Sequence, residues 1–95
     1  MDPDVKKLFV PPFTAHGPEG GAPIVVSDRM KNTVATAYGT GSCWWMPRGW
    51  GRHQYMEDGE ALHDAWCAFF RALVGDERDA VEVVRRLNEA WSEVS

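Results

Sequence analysis

The chain has 95 residues, 44% hydrophobic and 25% charged, with a formal net charge of −4. That size suits one small domain with a slim stability margin, and the composition excludes wholesale disorder. No run approaches the length of a membrane span, and prolines interrupt the opening where a secretory leader would be apolar, so a soluble, cytoplasmic protein is expected. Cys43 and Cys67 are too few for a disulfide scaffold and read as reduced thiols.

Residues 1–23 hold prolines at 3, 11, 12, 18 and 23 and the run Gly17-Pro18-Glu19-Gly20-Gly21, which favours extended and turn backbone over a long helix. An extended arm is expected, tied down in part by Leu8, Phe9, Val10 and Phe13 and loosest at 14–22. A β-meander is expected over 24–56. Ile24-Val25-Val26 is a β-branched run, and Thr33–Tyr38 alternates with Val34, Thr36 and Tyr38 on one face. A competing reading makes 28–38 a helix capped by Ser27 and ended by Gly39, with Met30, Val34 and Tyr38 four apart. Gly39-Thr40-Gly41-Ser42 reads as a turn, Cys43–Met46 as a strand, Pro47-Arg48-Gly49 as a turn and Trp50–Met56 as a further strand.

Residues 59–94 read as an antiparallel helical hairpin. From about Glu60 to Val74, Leu62, Trp66, Phe69, Phe70 and Leu73 share a face, with Glu60, Asp64 and Arg71 opposite. Gly75 suits the residue just past a helix end, and Asp76 is expected to cap a second helix in which Ala80, Val83, Val84, Leu87, Trp91 and Val94 form the apolar stripe. The outer face offers Arg78–Glu82, Glu82–Arg86 and Arg85–Glu89 pairs at helical spacing. The expected fold is therefore α+β: a three- to four-stranded antiparallel sheet packed on a C-terminal α-hairpin, with an extended Pro/Gly-rich N-terminal arm, all in one domain.

Charge is unevenly distributed along the chain. Residues 29–56 contain Arg29, Lys31, Arg48 and Arg52 with no acid, while residues 57–95 carry ten acids against four arginines. The basic stretch also contains Tyr38, Trp44, Trp45, Trp50 and Tyr55. Indoles stack on flat or apolar partners and guanidinium groups bind carboxylate or phosphate with two donors, so Tyr38, Trp44, Trp45, Arg48, Trp50, Arg52, His53 and Tyr55 form the candidate binding surface. In a strand, Trp44 and Trp45 would point to opposite faces, leaving one indole on the side away from the helices. Core packing of the tryptophans is the competing account.

The segment Met46-Pro47-Arg48-Gly49-Trp50, followed by a Trp-bearing helix, resembles the P-x-G-W of MbtH-like proteins. The N-x-E-x-Q-x-S-L-W-P strand that precedes it in that family is absent, and no function is carried over.

Three functional classes remain. The first is a non-enzymatic protein-binding module of the accessory or inhibitor type that phages and mobile elements encode, using residues 38–55. The second is a nucleotide or single-stranded nucleic-acid binder that stacks bases on Trp and holds phosphate with Arg. The third is a zinc-stabilised module through Cys43, His53, His63 and Cys67, although their spacing lacks a CxxC knuckle. A Cys–His or His–Asp catalytic pair would need a pocket and an oxyanion site that so small a chain has little room to build. The Gly39–Ser42 run lacks the Lys-Ser/Thr ending of a phosphate loop. Neither a catalytic residue nor a cofactor is expected, nor a membrane partner, and an exposed tryptophan face would also suit a homodimer.

Overall fold

A computed structural model describes residues 3–18, 23–39, 44–48 and 59–92. In chain order the elements are α1 (Pro3–Lys6), β1 (Thr14–His16), β2 (Ile24–Ser27), β3 (Thr33–Ala37), β4 (Trp45–Pro47), α2 (Gly59–Val74) and α3 (Ala80–Ser92). The four strands form one antiparallel sheet in the order β1-β2-β3-β4. The two C-terminal helices form a hairpin-like pair on one of its faces, with α3 against β1 and β2 and α2 against β4. The fold is the expected α+β sandwich of sheet and α-hairpin.

The N-terminal segment departs most from expectation. Instead of an arm, it supplies a turn of helix and the edge strand β1, whose Ala15 lies opposite Val26. Leu8, Phe9 and Phe13 are among the most buried side chains of the molecule. Sparse apolar residues between prolines look like a loop when only local preference is weighed; burial of two phenylalanines outweighs that preference. Gly17 closes the approach of β1 to β2, since a Cβ there would sit 2.8 Å from the Pro23 carbonyl oxygen. The expected strand at Trp50–Met56 lies outside the described residues.

Residues 33–37 are a strand, which sets aside the helical reading of 28–38. The competing period of four was broken by the turn at 28–32. There the buried Asp28 accepts hydrogen bonds from the backbone N–H groups of Met30 and Asn32 at 3.0 and 2.8 Å, and Lys31 takes a positive φ of 66°. Ser27 is therefore a strand residue and not a helix cap. Strand β4 begins at Trp45, with Trp44 in a bend before it, so the expected strand start at Cys43 is not reached by the described strand; Cys43 itself lies outside the described residues.

The core face of the sheet carries the cross-strand rows Val26–Ala35–Pro47 and Ile24–Ala37–Trp45. The helices meet it with Trp66, Phe70 and Val74 from α2 and Val83, Leu87 and Trp91 from α3, each set at a spacing of four. Aromatic edges and faces interlock in the centre. Phe9 lies 5.0 Å from Trp66 and Phe13 lies 4.9 Å from Trp91, both edge-on, and the two indoles are 6.0 Å apart. Such edge-to-face pairs add to the area buried because the positive ring edge meets the negative ring face.

Gly75 takes φ 57° and donates to the Arg71 carbonyl, ending α2 as expected. The cap of α3 is Asp79 and not Asp76: its carboxylate accepts the N–H of Val81 and its carbonyl accepts that of Val83. The three intervening residues Asp76–Arg78 belong to the turn. Arg86 anchors this turn by donating to the carbonyls of Leu73 and Val74, so the last turn of α2 is satisfied by a side chain of α3.

Candidate functional site

Strand pairing places His16, Val25, Thr36 and Met46 in one row on the face of the sheet away from the core rows. Tyr38 and Arg48 continue the alternation of β3 and β4 beyond that row at opposite ends. Their side chains meet, with Arg48 Nη2 donating to the Tyr38 hydroxyl at 2.6 Å. The bridge spans the row containing Thr36, which is only 7% exposed despite lying on this open face. Tyr38 and Met46 remain accessible, at 43% and 37%.

The described side chains of the open face include no acid. They comprise Thr14, His16, Val25, Ser27, Thr33, Thr36, Tyr38, Met46 and Arg48, and the adjoining β2–β3 turn exposes Arg29, Met30 and Lys31. The acid of that turn, Asp28, is buried and occupied by backbone donors. On the opposite side of the molecule, Glu82 binds Arg85 and Arg86, and Arg85 also binds Glu89. Hydrogen bonds from Arg85 and then Arg86 hold the Glu82 carboxyl down to about 2, against an ordinary 4.5. Among the described residues, Arg29, Lys31 and Arg48 therefore sit at one end of a sheet face without acids, and acids gather on the helical layer.

Trp44 and Trp45 take the competing, core-packed placement. Trp45 is a core residue on the sheet's inner face. Trp44 is half-buried against the core, with the Arg78 guanidinium 4.8 Å over its ring. The alternation argument that would turn one indole outward fails because Trp44 precedes the strand and is free of its two-residue period. Arg78 is thereby diverted from the expected pair with Glu82; the Glu82–Arg86 and Arg85–Glu89 pairs are present. Trp50, Arg52, His53 and Tyr55 lie outside the described residues.

Of the four zinc candidates, His63 and Cys67 adjoin on α2, with Nε2 and Sγ 3.6 Å apart, whereas Cys43 and His53 lie outside the described residues. Among the described residues, no three metal-ligating side chains come together. Burial pushes the Cys67 thiol above its ordinary value, Arg71 opposing and Asp64 reinforcing the shift. A thiol held protonated in this way is a poor nucleophile.

The residues that sequence reasoning missed are those joining distant segments. Asp28 accepts the N–H of Val10 at 2.9 Å, Asn88 accepts the N–H of Phe13 at 2.8 Å and donates to its carbonyl at 3.2 Å, and the Trp91 indole donates to the carbonyls of Lys6 and Phe9. An Asn in the stripe-bearing helix was the available signal, since a polar residue beside Leu87 needs a partner once buried. Among the described residues no helix is long and apolar enough to cross a membrane. Comparison of the chain with family models, with curated proteins and with solved structures finds no match, so function must be read from the geometry of the sheet face and the helical turn.

Proposed function

We propose that this chain is a non-catalytic protein-binding module, of accessory or inhibitor type, that applies the open face of its sheet to an acidic protein surface. The observation that carries the reading is the exposed Tyr38–Met46–Arg48 group on a face whose described side chains include no acid. Tyr and Met give contact area and Arg gives directed charge, the residue types that concentrate binding energy at interfaces. The Arg48–Tyr38 hydrogen bond holds the guanidinium in place before contact, which lowers the entropy lost on binding. The acids of the helical layer would orient the molecule, sheet first, towards a negative partner.

A base-stacking role is supported less well, because Trp45 is in the core and one face of Trp44 is taken by Arg78. The test is affinity capture from the cell of origin after nuclease treatment, comparing the natural chain with Tyr38→Ala, Arg48→Glu and, as a control on the helical face, Arg85→Glu. A protein retained by the natural chain and the control but lost from both sheet variants is the expected result. Equal capture by all four would overturn the reading. Retention that disappears with nuclease would point to nucleic acid, and light scattering that rises with concentration would identify a second copy of the chain as the occupant.

A further inference from the structure

Between the start of β4 and the α2–α3 turn lies a cleft of about 430 Å³. Its volume falls in the range of small-molecule sites, roughly 300–1,000 Å³. The apolar lining includes Trp45, Met46, Phe70 and Val74, and the polar wall is Arg71 and Arg78, with Trp44 beneath the Arg78 guanidinium. Asp76 and Glu77 also reach the rim. Glu77 is already occupied: one oxygen accepts the N–H groups of Arg78 and Asp79, and the other faces Arg86 at 3.4 Å.

Two guanidinium groups without an ion pair among the described residues therefore stand against one uncommitted acid. The indole N–H groups of Trp44 and Trp45 are buried with no acceptor among the described residues. Buried donors of that kind are rare, because each forfeits its bond to water without replacement. The unmet groups around the cleft are almost all donors, beside an apolar floor.

We propose that the cleft binds a carboxylate carried on a flat apolar body, the carboxylate held between Arg71 and Arg78 and the body laid on Trp45 and Phe70. Guanidinium groups accept a carboxylate through paired N–H donors, and an aromatic body fills the floor that a bare inorganic anion would leave wet. A neutral hydrophobe would desolvate the arginines without compensation. The same chemistry is offered by a free aromatic acid and by the C-terminal carboxylate of a partner chain ending in an aromatic residue. The proposal does not rest on the sheet-face reading, and loss of capture by Tyr38→Ala would leave it standing.

The test is a titration of the ¹⁵N-labelled chain, following the indole N–H resonances of Trp44 and Trp45. The probes are phenylacetate, phenylacetamide, and a hexapeptide ending in Phe with a free or an amidated terminus. Phenylacetate should move both resonances and saturate in the millimolar range, while phenylacetamide leaves them in place. Arg71→Gln and Arg78→Gln should each weaken the binding about ten-fold, the loss of one charge-assisted hydrogen bond, whereas Arg85→Gln, the same charge change on the outer face of α3, should not. A free-acid peptide at least ten-fold tighter than phenylacetate identifies a partner's terminus as the source; a weaker one identifies a small acid. Unmoved resonances, equal binding of acid and amide, or an Arg85→Gln effect as large as that of Arg78→Gln would overturn the proposal.

Discussion

Asp28 is a buried carboxylate with three backbone N–H groups on it, from Val10, Met30 and Asn32, and the Asn32 side-chain amide beside them. It shapes the β2–β3 turn and at the same time fastens the N-terminal segment to that turn. Asp28→Ala would leave several donors unmet in a site too closed for water to replace the carboxylate fully, a loss of about 3 kcal/mol. Asp28→Asn keeps one acceptor and should fall between the two, as urea midpoints would show. Asn88 does the same work from α3, since its amide reads both backbone groups of Phe13 as a neighbouring strand would. Asn88→Leu preserves bulk but strands an N–H and a carbonyl, and should cost about 2 kcal/mol in the same measurement. An Asp before a turn and an Asn on a helix are ordinary in a sequence. Their importance comes from partners 18 and 75 residues away, a separation that no local pattern records.

At the level of elements, what was legible followed from periodicity. The apolar spacing of Trp66, Phe70 and Val83, Leu87, Trp91 marks both helices and their buried faces, and Gly75 marks the break between them. The strands were legible where β-branched residues cluster, at 24–27 and 33–37. β1 was not, because Thr14-Ala15-His16 has no apolar alternation and all three residues are exposed. Its strand conformation comes from pairing with β2 and not from its own side chains. Of the candidate site, the sequence places Tyr38 and Arg48 in one stretch and the fold brings their side chains together, whereas the burial of Trp44 and Trp45 turns on where β4 begins. The α3 ion-pair network makes a prediction of its own. Glu82 is held near 2 in the folded state against an ordinary 4.5, so its stabilising contribution is present above about pH 4.5 and is lost as the pH falls towards 2. The stability gap between the natural chain and Glu82→Gln should therefore narrow across that window. It should also shrink in high salt, because these side chains are partly open to solvent.

Among the described residues, the sheet separates two electrostatic environments, cations and no acid on its open face and acid-rich helices on the other. The aromatic core belongs equally to both ends of the described chain, with Phe9 and Phe13 set edge-on among Trp66 and Trp91. Deleting residues 1–13 would open the faces of both indoles and remove the acceptors of the Trp91 N–H. The shortened chain should lose its cooperative thermal transition and expose tryptophan to solvent, visible as a red shift in emission. A deletion of that kind in a free arm would leave both signals unchanged.

The Trp91 indole bond to Lys6 and Phe9 joins residues 85 and 82 positions apart. Synthesis runs from N- to C-terminus, so Leu8, Phe9 and Phe13 emerge before the α3 side chains that cover them. Until α3 has left the ribosome, Leu8, Phe9 and Phe13 have only part of their final packing, and their apolar side chains stay open to solvent. The packing of this segment thus waits on α3: Lys6 and Phe9, made earlier, are secured by Trp91, made 85 and 82 residues later.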